Sequence, residues 1–507
     1  MSAAEITASS AAPISQESKP PHQSLLAHWG VLAAIAGLVL VCALPTPQGL
    51  PVAGQYMLGM LLFSVILWMT EAVDYAVSAV MIAALMAFLL GLAPDAAKPA
   101  QDLGTSAALT LALGGFANTA LALVAAALFI SAAMTITGLD KRIALFVLSV
   151  VGASTRRVVI GSIATGFILA FLVPSTTARV ACIVPIMMGV VLAFNVDRRS
   201  RFAGMLLITT AQAASIWNVG IKTAAAQNMV AIGFIERTLK ATVTWLDWFI
   251  AAAPWAVLMS IALYFVMVRM MPPEAEEIAG GREAIRKALG EMGPMSFDEK
   301  KLLAISLTLL AFWSTEKVLH PFDTASTTVA AIALMFLPGV GVMDWKRAQG
   351  RIPWGTVILF GVGISLGTAL LQTKAAGWLA NVIVQNLGLA GAGAFSVLAL
   401  LSLFLIVVHL GFASATALAS AMIPIMISVL QQLNTPGMNI VGMTVLLQFV
   451  VSFGFILPVN APQNMVAFGT DTFTARDFVR TGLVLTVVGY VLVLLLGATY
   501  WSWLGYV

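Results

Sequence analysis

Two short clusters of hydroxyl side chains and two copies of an amide-bearing phrase are the parts of this chain equipped for chemistry. Ser175-Thr176-Thr177 follows Pro174, and Ser414-Ala415-Thr416 follows Ala413. Gln227-Asn228-Met229-Val230-Ala231 recurs as Gln463-Asn464-Met465-Val466-Ala467, 236 positions further on. Hydroxyls and free N–H groups at a helix start make a seat for an anion, because the dipole is positive there. Carbonyls and amide oxygens of an interrupted helix hold a small cation. The anion candidates are therefore Ser175, Thr176, Thr177, Ser414, Ala415 and Thr416, with Arg179 one turn along from Ser175. Arg179 is expected either to attract a substrate carboxylate or to pair with Glu71 or Asp74. The cation candidates are Gly220, Asn228, Asn460 and Asn464, with Lys222 inside the first break as a permanent stand-in for a cation. The plainer alternatives are that Asn228 and Asn464 cap broken helices and that Lys222 snorkels to an interface. His409, five residues before Ser414, is a candidate pH-responsive group. Glu71 and Glu316 are candidate proton carriers or helix-end anchors.

These residues need a scaffold that tolerates polar breaks in an apolar setting. The chain is 60% hydrophobic and 9% charged, with a mean hydropathy of +0.98. No soluble domain of 507 residues hides that much apolar surface, so lipid is the solvent for most of it. The expectation is an all-α integral membrane protein with about eleven full spans and two re-entrant hairpins. Residues 1–27 are Ser/Ala/Pro-rich and read as a disordered tail without secretory-signal features. Trp501, Trp503 and Tyr506 suit an interfacial anchor. Two cysteines, Cys42 and Cys182, and four scattered histidines offer neither a redox motif nor a converging acid–base or metal cluster, which argues against an enzyme. No GxxxxGK[ST] phrase supports ATP-driven work. A net charge of +4 in a membrane chain marks the cytoplasmic side and implies no nucleic acid.

The echoes come in order. Trp68-Met69-Thr70-Glu71 matches Trp313-Ser314-Thr315-Glu316, and Ser175-Thr176-Thr177 with Pro185-Ile186-Met187 matches Ser414-Ala415-Thr416 with Pro424-Ile425-Met426. Duplication follows, with halves 28–271 and 302–507 joined by a charged cytoplasmic connector, 272–301, that carries a short helix at Glu283–Glu291. Arg156, Arg157, Arg198, Arg199 and Arg201 flank the first hydroxyl cluster on both sides, so that segment enters from the cytoplasm and returns. The second, Gly391 to Asn434, lacks close basic flanks and enters from outside. The halves are then inverted-topology repeats, the N-terminus is cytoplasmic, and each half supplies one side of a single central site.

From about residue 50 onward the chain resembles the divalent anion/sodium symporter family of citrate, dicarboxylate and sulfate carriers. The likeness rests on the two hairpin-tip clusters, on Ala226-Gln227-Asn228 and Pro462-Gln463-Asn464, and on WMTEAV and GPMSFDEK. It implies a homodimer in a bacterial inner membrane, with a scaffold and an elevator-type transport domain in each protomer. It implies secondary transport of a divalent organic anion, such as succinate or malate, with sodium as the possible coupling ion; tricarboxylate, sulfate or sulfonated anions are the alternatives, and an anion channel is the alternative of a different class. Thr176 and Ala415 stand where the family motif has asparagine. Ser-Thr-Thr-Ala-Arg is similar to a subgroup that exchanges anions without sodium, and Arg179 and Lys222 fit that behaviour. Leu418 stands where that subgroup often has histidine.

Overall fold

The computed structural model describes residues 21–151, 154–193, 196–274, 281–433 and 435–507. Every named element among them is a helix, as expected of backbone that must satisfy its own N–H and C=O groups in lipid. Helix α1 (Pro21–Ala43) begins six residues before the expected end of the tail at 27, and residues 1–20 lie outside the described residues. It pairs with α2 (Val52–Thr70), which stops at Glu71 in a left-handed conformation, φ 46°. There follow α3 (Tyr75–Leu85), prolonged by a π-turn at Met86–Leu90, then α4 (Thr105–Leu113), α5 (Thr119–Thr137) and α6 (Leu139–Val151).

The first hairpin is α7 (Thr155–Leu172) and α8 (Thr176–Ala193). Pro174 sits in its turn, where its ring forbids continuation of the helix before it. Next comes an interrupted helix: α9 (Arg201–Gly220), a 3-10 turn at Lys222–Ala224, and α10 (Ala226–Phe234). Helix α11 (Trp245–Met270) closes the first half. Beyond the connector helix α12 (Gly281–Glu291) lie α13 (Phe297–Ser314), α14 (Thr324–Phe336), the short α15 (Trp345–Gln349), α16 (Trp354–Gln372) and α17 (Ala375–Asn386). The second hairpin is α18 (Ala394–His409) and α19 (Ala415–Leu433). The second interrupted helix is α20 (Ile440–Val451), a 3-10 turn at Pro458–Asn460, and α21 (Pro462–Phe468). Helices α22 (Ala475–Ala498) and α23 (Tyr500–Trp503) end the chain.

Fewer helices reach spanning length than the eleven expected. Among the described residues eight are long and apolar enough to cross a bilayer, and two of these, α7 and α19, are hairpin arms. The remaining apolar length is divided into shorter helices, because Pro, Gly and polar phrases interrupt it. The order of elements from α13 to α22 follows that of α2 to α11, hairpin for hairpin and break for break. Equivalent braces recur as well: the Trp68 indole donates to Ser78 Oγ at 3.2 Å and the Trp313 indole to Thr328 Oγ1 at 3.1 Å.

The returning arm of each hairpin packs on the amide-bearing arm of the other half. Helix α8 lies against α21 and α9, while α19 lies against α10, α16, α17 and α20. Near the connector, Arg199 pairs with Asp471, and Arg198 Nε donates to Thr470 O at 2.7 Å, so the end of the first hairpin is tied to the end of α21. The connector helix packs on α6 and α8 through buried Ile285. Arg142 on α6 holds Glu299 at 2.6 Å and the carbonyls of Met292 and Gly293. Trp501 is not the interfacial anchor expected: it is fully buried and donates to Ala251 O at 2.8 Å, tying the end of the chain to α11. Trp503 is 79% exposed and keeps that expectation.

Candidate functional site

Each half places its hairpin tip against its own broken helix. In the first half, Thr176 Oγ1 donates to Asn218 Oδ1 at 2.6 Å. Arg179 is fully buried, yet it faces no carboxylate among its hydrogen-bond partners. Its Nη1 donates to Val173 O at 2.9 Å and to Ala224 O at 3.2 Å, and its Nη2 donates to Asn218 Oδ1 at 2.6 Å. The expected pairing of Arg179 with Glu71 or Asp74 is therefore replaced by a brace. One guanidinium joins the carbonyl before Pro174 to the carbonyl that ends the 3-10 turn. Its planar fork suits two divergent acceptors at once, and these are the kind of groups that would otherwise surround a cation. Its positive charge stays fixed beside the tip.

Asn228 and Asn464 make the same clamp in the two halves. Asn228 Nδ2 donates to Asn218 O at 2.7 Å and Ile221 O at 3.2 Å. Asn464 Nδ2 donates to Gly454 O at 2.8 Å, the carbonyl 236 positions after Asn218 O. Broken backbone at membrane depth has to find such partners, so the amide donors fit the capping alternative. Asn460 is used on both faces: Nδ2 donates to His409 O at 3.0 Å and Phe412 O at 2.9 Å, and Oδ1 accepts from Leu457 N at 3.1 Å. It braces the second tip to the second break. Gly220 is required by packing, since a Cβ there would stand 2.6 Å from the Trp217 ring. Lys222 is 4% exposed, and its Nζ donates to Val243 O at 2.7 Å. It ties the break to the start of α11 without entering the tip.

Four glutamines and two serines join the halves; of these the sequence reading passed over Gln212, Gln448, Ser215 and Ser452. Gln463 Nε2 donates to Ser215 Oγ at 3.1 Å, and Gln227 Nε2 reaches Ser452 Oγ at 3.4 Å in the opposite sense. Gln212 Nε2 donates to Phe455 O at 3.0 Å, and Gln448 Nε2 reaches Asn228 Oδ1 at 3.5 Å. Gln212 and Gln448 stand at the same 236-residue offset as the QNMVA phrases, a signal that a wider search for the repeat finds. Asn218, which receives both Thr176 and Arg179, has no counterpart amide in the second half, where Gly454 stands.

The two tips differ in access. Thr177 is exposed and Ser175 half-buried, whereas Ser414 and Thr416 are buried. The second tip is covered by the first half: a Cβ on Gly411 would stand 2.7 Å from Met69 Cε, and the Tyr75 hydroxyl reaches Ser414 and, at 3.4 Å, Glu71. Ala415 contributes only backbone at the start of α19. Glu316 accepts from Thr324 Oγ1 at 2.7 Å, the helix-end anchoring alternative. His320 is occupied by Thr315, Phe312 and Phe322, so it is a local loop brace. Among the described residues no group of three or more His, Cys, Asp or Glu is arranged to hold a metal ion.

A helical membrane fold with paired hairpins and interrupted helices defines the class of integral membrane transporters. A solved structure supports the fold: the YdaH transporter of Alcanivorax borkumensis superposes with a TM-score of 0.52 at 14% identity, covering 85% of this chain and 98% of that one. The chain belongs to the family described as the sodium:sulfate symporter transmembrane region, whose profile matches residues 25–507. It is 58% identical over 488 residues to a membrane protein of Cupriavidus necator, covering 96% of this chain and 95% of that one. It is 28% identical to the inner membrane protein YbhI of Escherichia coli, covering 94% and 98%. It is 25% identical to the sodium-dependent dicarboxylate transporter SdcS of Staphylococcus saprophyticus, covering 90% and 88%. Membership of the divalent anion/sodium symporter family supports secondary transport of anions across a membrane and gives no support to an enzyme.

Proposed function

We propose that this protein carries small divalent organic anions, C4-dicarboxylates such as succinate or malate, across the bacterial inner membrane by alternating access, and that it exchanges one anion for another. The observation that carries the exchange reading is Arg179. A buried guanidinium satisfies the carbonyls that join the first tip to the first break, so a fixed charge does the work that a travelling cation would do. The anion would lie between the tips, against the hydroxyls and free N–H groups of Ser175, Thr176, Thr177, Ser414 and Thr416. The unequal exposure of Thr177 and Thr416 fits a state open on the first-tip side. The basic flanks of that hairpin assign this side, and with it the N-terminus, to the cytoplasm. The cross-bonds between glutamines and serines support movement of both hairpins and both broken helices as one body, the elevator mode, past the remaining helices of each protomer of a homodimer. Inverted repeats would make the two end states near-equivalent in energy.

Sodium symport is the second reading, favoured by the sodium-dependent dicarboxylate relative. The test is uptake of labelled succinate by proteoliposomes. An inward sodium gradient is compared with sodium-free vesicles preloaded with unlabelled dicarboxylate. Exchange predicts uptake that needs internal anion and ignores sodium; uptake that needs sodium overturns it. Thr177→Ala with Thr416→Ala should weaken apparent affinity, and unchanged affinity removes the hydroxyls from the site.

A further inference from the structure

We propose that His409 is a proton-binding group of the transport cycle, taking up a proton with the anion on one side and releasing it on the other. The proposal rests on the anion-transport reading above and adds a coupling ion to it.

His409 ends α18 where the chain turns into the second tip. It is 1% exposed, and neither Nδ1 nor Nε2 has a hydrogen-bond partner. A neutral imidazole always carries one N–H and one lone pair. Leaving both idle in a dry interior costs free energy that Leu or Phe at the same place would not. Packing alone therefore does not account for this residue. Nor does the repeat, because the equivalent position in the first half is Ala170. The root of the ring is fixed, since Asn460 holds the His409 carbonyl at 3.0 Å.

The missing partners are close at hand in kind. Gln212 Oε1 and Asn464 Oδ1 are also buried without partners, while their amide donors hold the neighbouring carbonyls of Phe455 and Gly454. His409 Cε1 lies 3.6 Å from where a Cβ on Gly454 would stand. Beside the second break, acceptors thus stand idle in the same dry interior as a ring that gains a donor when protonated. In the first half no such vacancy for charge exists, because Arg179 supplies it; the matching residue in the second half is Leu418. A dianion seated between the tips meets one fixed positive charge and finds its second on an imidazolium.

Few other charges intervene. Helices α19, α20 and α21 carry no ionisable side chain, nor does α9 beyond Arg201. Helix α22 presents Tyr490, whose hydroxyl is bound to Ala399 O; Asp477, which caps Thr474; and Arg476 and Arg480, which are exposed. From the covering side, Tyr75 reaches the tip at Ser414 and donates to Glu71 at 3.4 Å. A dianion beside the ring favours its charged form, so by linkage the anion binds more tightly as pH falls. The proton is bound and released at the same nitrogen, and no bond other than N–H changes.

The test uses full-length protein in sodium-free proteoliposomes with the membrane potential clamped. The probe is labelled fumarate, which stays dianionic across the pH range. Counterflow at equal pH on both sides reports the transport reading by itself. In vesicles loaded with unlabelled fumarate, an acid-outside gradient should raise wild-type uptake of labelled fumarate several-fold, and a protonophore should abolish the rise. His409→Gln should raise the fumarate concentration that half-saturates counterflow, make counterflow independent of pH, and lose the response to the gradient. In detergent, a pH-indicator dye should register uptake of about one proton per chain when fumarate is added to wild type, by the same linkage; this readout needs no variant. Absence of counterflow strikes the transport reading. Counterflow without a gradient response, a His409→Gln variant that responds like wild type, or no proton uptake by the dye overturns the assignment of His409.

Discussion

Replacing Arg179 by Gln separates a structural brace from a substrate ligand. The guanidinium satisfies Val173 O and Ala224 O, and a shorter neutral side chain reaches neither. Asn218 Oδ1 keeps a partner, because Thr176 Oγ1 still donates to it at 2.6 Å. Two carbonyls are therefore stranded in a dry interior, at roughly 1–3 kcal/mol each, giving about 2–6 kcal/mol in all. At roughly 2 °C per kcal/mol for a chain of this size the Tm falls by about 4–12 °C. The space left is lined by carbonyl oxygens, so sodium should restore part of the loss in Arg179→Gln and do nothing for wild type. The assay is thermal unfolding of the purified protein in sodium against potassium salts, followed by exchange of labelled succinate under both. A variant with wild-type Tm refutes the brace. A destabilised variant that gains nothing from sodium refutes the idea that Arg179 occupies a cation's place.

Other outcomes follow from single contacts. Asn228→Ala strands Asn218 O and Ile221 O and should cost about 2–4 kcal/mol, with loss of transport, whereas Asn228→Asp, which keeps an oxygen but not the donor, should rescue neither; denaturation midpoints and uptake check both. Gly482→Ala pushes a Cβ into Phe455 O, the carbonyl that Gln212 holds, so it should displace the second break and abolish uptake while the same change at exposed Gly393 is silent. In a background free of Cys42 and Cys182, a cysteine at 177 should label rapidly with a membrane-permeant maleimide and one at 416 slowly; equal rates would contradict the unequal tips. In the connector, burial alone would raise the Glu299 carboxyl, but the bonds from Arg142 and Ser296 outweigh it and hold it below its ordinary value of 4.5. A depressed carboxyl contributes stability that is full above the unfolded value and lost as pH falls through the folded one. The connector should therefore resist protease at neutral pH and yield in the acid range below about 4, and Glu299→Gln should yield at neutral pH as well.

Much of the fold was legible because lipid imposes it. Apolar runs in a bilayer become helices, and a polar phrase or a proline in their middle becomes a break, so Pro174 with Ser175 and Pro458 with Asn460 mark interruptions that the structure contains. The echo of QNMVA placed two such breaks in register, and the connector helix was found within two residues of its start. Chain order alone did not tell a full span from a hairpin arm, since α7 and α19 are as long and apolar as helices that cross.

The sequence by itself determined the solvent, the helices, the doubled phrases and which residues are polar at membrane depth, because these depend on composition and local backbone rules. Only the tertiary structure decided what those polar residues hold. Arg179 braces Val173 O to Ala224 O, Asn460 braces the second tip to the second break, and Gln212 holds Phe455 O, because a hydrogen bond depends on which acceptor another segment brings within about 3 Å. His409 shows the same dependence in reverse. Its sequence neighbours say only that it sits in an apolar run, and the packing of the second break leaves both of its nitrogens without a partner.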